Sequence, residues 1–253
     1  MEFPLNVKNE NALDFALKSG LFKTKEETVA YLKKFYTEMT REKLRKAFSK
    51  DVLLVQAVSM IQEIEKNQHV INERVTEWYS YFNPEKPDER TMQRSKDSIG
   101  MDFNPEDKKI LESVIKESSE NRELVEKLER YIEKILDEIA PNLKVLCGFR
   151  LAAELIKQAG SLENLAKMSS SKIQIMGAEK AMFRHLAEGA KPPKHGIILK
   201  HEIFRNSSRE LYGKIARHLA SKISISARTD FYSKEKNNSL GKKFSDELKL
   251  VAK

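Results

Sequence analysis

The stretch from Ile175 to His195, IMGAEKAMFRHLAEGAKPPKH, gathers the residue types best suited to holding an anion. A loop with a single glycine leads into a helix of about two turns, Gly189 ends it, and a Lys-Pro-Pro-Lys turn follows. A helix start presents unpaired backbone N–H groups at the positive end of the helix dipole, and neighbouring lysines add full charges. The same residues also fit an ordinary surface helix with a glycine at each end, and spacing alone leaves the two readings level. A second basic stretch, GKIARHLASKISISARTDFY, lies behind it.

The charge distribution sharpens the first reading. The 253 residues carry a net +8. From Lys172 to Lys253 there are 18 Lys and Arg against 8 Asp and Glu, while the rest of the chain has 28 against 30. The basic excess therefore belongs to the C-terminal third, the asymmetry of a nucleic-acid-facing domain on a near-neutral support.

Catalytic patterns are missing from the sequence. The five histidines, His69, His185, His195, His201 and His218, form no HExxH, and there is no Walker loop, GxSxG or GxGxxG. The single cysteine, Cys147, excludes an internal disulfide and sits in LKVLCGFRLAA as a small buried hydrophobe. No apolar run nears ~20 residues, so a soluble, cytoplasmic protein with no membrane partner is expected. Nine glycines and seven prolines are too few for an all-β or Rossmann fold, and the periodicity predicts a mainly α protein.

Three segments would position the basic stretch. In residues 1–50, NALDFALKSG reads as a helix closed by Gly20, and Thr24 with Glu27 forms a capping box for a second helix. That helix carries a stripe of Val29, Leu32, Phe35, Tyr36 and Met39, which is either core or a surface for a partner protein.

Residues 51–140 predict a long antiparallel coiled-coil hairpin. Leu54, Ala57, Ile61, Ile64, Gln68, Ile71, Val75, Trp78 and Phe82 keep a 3,4 spacing in the first arm. After a polar tip, the second arm starts at Pro105-Glu106, with Ile110, Val114, Leu124, Leu128, Tyr131 and Ile135 in its seam beside Glu117 and Asn121. Each arm would be roughly 40 to 60 Å long. Gln68 falls opposite Glu117–Asn121, giving a polar layer that is either a solvated gap or a register device. Leu111, Ile115, Val125, Ile132 and Leu136 are left on an outer face, which self-association would cover.

Residues 141–253 shorten their elements. Gly148 and Gly160 break two short helices, Ser161 caps the next, and Gly196-Ile197-Ile198-Leu199 is either a short strand or a buried apolar stretch. A final helical block has Leu211, Ile215, Leu219 and Ile223 on one face.

The tetrapeptide Gly177-Ala178-Glu179-Lys180, the Met182–Arg184 sequence MFR, the turn Pro192–Gly196 and Gly213–Arg217 (GKIAR) together resemble the Nop domain of archaeal box C/D ribonucleoprotein scaffolds, with nucleolar and spliceosomal relatives. With the hairpin, the resemblance covers about residues 40–250. It implies a non-catalytic scaffold with no cofactor of its own, S-adenosylmethionine belonging to its partner. It also implies a homodimer formed through the hairpin, a C-terminal all-helical Nop domain that grips box C/D guide RNA together with a kink-turn-binding ribosomal-type protein, and an N-terminal region that holds the methyltransferase fibrillarin for guided 2′-O-methylation. Here only about 50 residues precede the hairpin, where the family has a larger α/β unit. The fibrillarin surface is accordingly assigned to Phe15, Val29, Leu32, Phe35, Tyr36 and Met39.

On the same basis Lys180, Arg184, Lys191, Lys194, Lys214, Arg217, Lys222 and Arg228 would meet phosphates, which position a domain without reading sequence. Shape would then supply selectivity. His195 either stacks on a base or is a turn histidine bonded to backbone. Glu179 orients Lys180 or caps a neighbouring backbone group, and Phe183 and Leu186 are assigned to the core. Two alternatives stand beside the scaffold: a structural coiled-coil protein of another, spliceosome-like ribonucleoprotein, and an RNA-processing enzyme of unrecognised type.

Overall fold

The structure, a computed structural model, describes residues 24–47, 49–87, 91–92, 98–205, 207–233 and 238–251. Among them are ten α-helices, three 3-10 turns and no strand, as the periodicity predicts. The helix expected from Asn11, with Phe15, lies outside the described residues. The chain divides into two compact units, residues 1–49 and 50–253.

In the first unit, α1 spans Lys25–Ala47. Thr24 Oγ1 accepts the Glu27 N–H (3.2 Å), satisfying one of the first-turn donors. Val29, Tyr31, Phe35 and Tyr36 are exposed along this helix, and Leu32 and Met39 are half-buried.

In the second unit, α2 (Lys50–Phe82) and α3 (Pro105–Ile139) form the hairpin. Its antiparallel sense is fixed by three pairings: Lys50 with Glu138 at the root, Gln68 with Ser118 midway, and Phe82 with Phe103 at the tip. Asn104 and Asp107 close a reciprocal capping box at the start of α3, and Pro105 occupies its first turn. The polar layer is real: Gln68 Nε2 donates to the Ser118 carbonyl (2.5 Å) and hydroxyl (3.1 Å), and that hydroxyl bonds Asn72 Oδ1 (3.1 Å).

The seam of α3 is rotated from the expected one: Val114, Leu128 and Ile135 pack inside as expected, but they share the interior with the neighbouring stripe. Leu111, Ile132 and Leu136 are buried inside the unit, Ile115 packs on the tip cluster, and Val125 packs on the root core. The five residues expected on a self-association face therefore do not form it. Ile110, Leu124 and Tyr131, expected inside, are exposed, and on α2 Tyr79 takes the buried place expected for Trp78. The physical reason is the polar layer. This phase puts Ser118 opposite Gln68, whereas the other would put the Glu117 carboxylate into the seam, at a far larger desolvation cost.

Residues 51–140 and 141–253 share one apolar core at the hairpin root. After α4 (Pro141–Cys147), α5 (Phe149–Ala159), α6 (Leu162–Lys167), α7 (Ser170–Ile175) and α8 (Glu179–Glu188) come the 3-10 turns. The first of these, Ile197–Lys200, is the GIIL stretch, with Ile198 fully buried. Two helices close the chain, α9 (Tyr212–Tyr232) and α10 (Ser239–Val251). Ile215, Leu219 and Ile223 of α9 are wholly buried, each contributing about 1.5–3 kcal/mol of transfer free energy.

Buried polar groups fix how the helices meet. Asp51 Oδ2 of α2 accepts the Leu162 N–H at the start of α6 (2.9 Å), tying hairpin to domain. Asp230, near the end of α9, accepts the Asn142 N–H (3.2 Å), Asn142 Nδ2 (2.8 Å) and the Leu143 N–H (2.9 Å). Asn142 Oδ1 in turn accepts the Gly241 N–H in the first turn of α10 (2.8 Å). One carboxylate thus holds three helix ends together, and a charge at a helix start is where the dipole favours it.

Candidate nucleic-acid interface

Helix α8 has no buried residue. Its start is set by a close approach: Gly177 has φ +81°, and a Cβ there would lie 2.2 Å from Ile197 Cγ2. The Gly177 N–H donates to Glu179 Oε1 (3.0 Å), so Glu179 caps backbone. Ala178, half-buried, is the N-cap, and its carbonyl accepts the Met182 N–H (3.0 Å). Gly189 ends the helix with φ 68°.

Phe183 and Leu186 are each 70% exposed, which corrects their assignment to the core. Only Ala181, Met182 and His185 of the helix are even half-buried, so its covered side is the narrow one they share. An apolar pair three residues apart has the spacing of an inward face whether or not another element packs over it.

The eight expected phosphate-contacting cations separate into two groups. Lys180, Arg184, Lys191, Lys194, Lys214 and Arg217 are exposed, and none pairs with an acid among the described residues. Lys222 and Arg228 are engaged elsewhere. Lys222 Nζ bonds Glu247 Oε2 (2.6 Å) and lies 4.2 Å from the Phe244 ring centre, pinning α10. This hydrogen bond holds the Glu247 carboxyl below its usual range. Arg228 donates to the Ala166 carbonyl (3.0 Å) and the Met168 carbonyl (3.5 Å), satisfying the end of α6. By contrast with the first six, Lys144, Arg150, Lys167 and Lys200 pair with Asp137, Glu129, Glu163 and Glu154.

His195 is half-buried, its ring edge-on to Tyr212 at 6.2 Å, and Tyr212 packs on Phe204. Sequence reasoning passed over Gln174 and His185. Gln174 Nε2 donates to the Lys194 carbonyl (2.7 Å), and His185 Nδ1 to the Ala190 carbonyl (2.5 Å). No sequence pattern marks either, since both bonds cross a turn whose shape the sequence leaves open.

A cleft of about 730 Å³ lies at the hairpin root, with Glu65, Glu129, Arg150 and Lys200 in its wall. Arg150 and Lys200 are already paired there, and Cys147 is buried, which pushes its thiol pKa up and keeps it from being a nucleophile. Among the described residues no three His, Cys, Asp or Glu converge as metal ligands, and no helix is long and apolar enough to cross a membrane.

The second unit is thus a helical hairpin joined to a helical domain that carries six exposed cations without an acidic partner among the described residues. The family model "Nop: snoRNA binding domain, fibrillarin" matches residues 21–252. The chain belongs to the Nop family. It is 34% identical over 251 residues to an uncharacterised NOP5 family protein of Methanocaldococcus jannaschii, covering 84% of this chain and 60% of that one. Human nucleolar protein 56 is 30% identical over 237 residues, with 78% and 40% covered. Neurospora crassa nucleolar protein 58 is 34% identical over 232 residues, with 76% and 38% covered. The chain thus spans between about two fifths and three fifths of these relatives' length. The crystal structure of a fibrillarin/Nop5p complex superposes with a TM-score of 0.57 at 26% identity, covering 98% of this chain and 88% of that one.

Proposed function

We propose that this chain is a non-catalytic scaffold subunit of a box C/D-type guide ribonucleoprotein. The observation that carries the proposal is α8 and the turn after it: a helix with no buried residue, two exposed apolar side chains, and Lys180, Arg184, Lys191 and Lys194, exposed and without an acidic partner among the described residues. Lys180, Arg184, Lys191, Lys194, Lys214 and Arg217 meet RNA phosphates, and His195 flanks them. Phe183 and Leu186 are too apolar to face phosphate, so a small kink-turn-binding protein seated beside the RNA covers them. Lys222 and Arg228 support the site by holding α10 and α6.

A fibrillarin-type methyltransferase docks on residues 1–50, with Val29, Phe35 and Tyr36 of α1 as the exposed anchors; the cofactor S-adenosylmethionine stays with that enzyme. The hairpin, residues 51–140, self-associates. Its face is the stripe Leu53, Met60, Ile64 and Trp78 of α2 beside Ile110, Leu124 and Tyr131 of α3, most of it exposed and recurring at heptad spacing.

The test is a titration of labelled kink-turn RNA with the purified chain, with and without a kink-turn-binding protein. Binding should be weak and salt-sensitive alone and strong in the ternary mixture. Equal affinity in both arms overturns the scaffold reading, and metal-dependent cleavage of the probe would replace it with a nuclease.

A further inference from the structure

We propose that Gln174 and His185 are positioning residues that hold the Ala190–Gly196 turn as a preformed arm, delivering Lys191 and Lys194 to RNA. The inference rests on the RNA-facing reading of that surface.

The turn is fixed at both ends and along one side. At its start, the Ala190 carbonyl can only accept, so His185 Nδ1 carries the proton in their 2.5 Å bond. At its end, the Lys194 carbonyl accepts from Gln174 Nε2 (2.7 Å), while the Gln174 carbonyl accepts the Gly196 N–H (2.8 Å) and the Met176 carbonyl accepts the Ile197 N–H (2.7 Å). This backbone pairing requires Gly196, because a Cβ there would lie 1.9 Å from the Met176 carbonyl oxygen. The His195 ring rests against Tyr212, whose hydroxyl is tied to the Phe204 carbonyl (2.9 Å). Pro192 and Pro193 fix two more φ angles.

These side-chain bonds are exposed and hold almost no apolar surface, so they add little to the stability of the fold. What they do is remove backbone freedom from a segment whose two lysines are exposed and, among the described residues, unpaired. A loose turn would have to be ordered when RNA binds, and that ordering subtracts directly from affinity.

The experiment measures affinity of the full-length chain for the kink-turn RNA probe, in the presence of the kink-turn-binding protein, across a salt series. Gln174→Ala keeps the backbone pairing and removes only the side-chain donor; His185→Ala does the same at the other end, and His185→Asn restores an amide donor. Gln174→Ala and His185→Ala should each weaken binding about three- to tenfold with the melting temperature unchanged. The slope of log K against log salt should stay as in the parent, because both lysines still reach phosphate. His185→Asn should recover part of the loss. Lys191→Ala and Lys194→Ala should instead each reduce that slope by about 0.7–0.9. Unchanged affinity for Gln174→Ala and His185→Ala, with weakened Lys191→Ala and Lys194→Ala, overturns the positioning role and leaves the RNA surface standing. A lower melting temperature or a smaller slope in the Gln174 and His185 variants also overturns it, since the fold or the contacts themselves would then be lost. If the lysine variants bind as the parent does, the RNA reading of the turn fails, and the inference with it.

Discussion

Asp230→Ala should be among the most damaging polar substitutions in this chain, and its cost can be worked from the geometry. Asp230 is 1% exposed and, from the described residues, accepts three hydrogen bonds, two of them from backbone N–H groups at the start of α4. The α4 N-cap, Ala140, offers no side-chain acceptor, so Asp230, 88 positions from the Asn142 N–H it accepts, does the capping. Hydrogen bonds to a charged group contribute about 1.5–3 kcal/mol each, and donors left buried and unpaired add a desolvation cost. The three share one carboxylate, so their effects are not additive, and about 3–5 kcal/mol is the reasonable total. At about 2–4 °C per kcal/mol for a unit of this size, the melting temperature should fall by roughly 10 °C. Asp230→Asn keeps the shape but turns one acceptor into a donor facing an N–H, and should lose about half as much. Because Asn142 also accepts from Gly241, proteolysis should reach α10 sooner in either variant. Urea unfolding and calorimetry read the first effect and limited trypsin digestion the second. A loss below about 1 kcal/mol for Asp230→Ala would refute the argument that one carboxylate organises these helix ends.

Three further outcomes are expected. Lys180→Glu with Arg184→Glu should abolish ternary RNA assembly while leaving self-association intact, and the alanine pair should lower the salt slope by about 1.4–1.8 in the same titration. The depressed Glu247 pKa, caused first by its hydrogen bond to Lys222, makes a contribution that is complete above the unfolded value of about 4.3 and is lost as pH falls through the folded pKa. Acid should therefore loosen α10 below about pH 4, and Glu247→Gln should remove that limb from an acid-titrated amide-exchange profile of the helix. Leu111→Ala should cost about 2–5 kcal/mol in urea unfolding, whereas Leu124→Lys with Tyr131→Lys should leave the fold near parent stability and abolish the dimer in sedimentation.

Much of this architecture is legible in the sequence because its signals are local. Pro105 announces a helix start by its fit to the first turn, and Ser161 by a side-chain acceptor three residues from its donor, and both helices begin there. The glycines at 148 and 160 break helices where the apolar spacing breaks. The surface of α8 was less legible. Phe183 and Leu186 have the spacing of a buried pair, and nothing nearby in the sequence says that no element packs over them. Lys222 and Arg228 carry the charge of the other six cations, but their partners, Glu247 and the Ala166 and Met168 carbonyls, lie 25 to 62 positions away. Charge can be counted in one dimension, while its neutralisation is a matter of three.

The hairpin shows how a periodic signal can be right in kind and half right in phase, with Val114, Leu128 and Ile135 inside as expected and Ile110, Leu124 and Tyr131 outside. On α3 two apolar stripes run side by side, one through Ile110, Leu124 and Tyr131 and one through Leu111, Val125 and Ile132. Heptad spacing accepts either as the seam, because adjacent stripes differ by only ~100° around the helix. What separates them is the single polar layer. With Leu111 inward, Ser118 meets Gln68 and every buried polar group in the layer has a partner. With Ile110 inward, Glu117 would sit there instead, and a carboxylate facing an amide between two apolar clusters would have to neutralise or drag water in. The choice of stripe also decides which side chains remain for a second copy. Asn72, Gln68 and Ser118 thus set more than the pairing of two helices: by turning Leu111 inward they turn Leu124 and Tyr131 outward. The residues that fix the register inside one chain are therefore the ones that select its outer face. Ser118→Ala with Gln68→Leu, which would erase the distinction, is the change that should let the two phases compete.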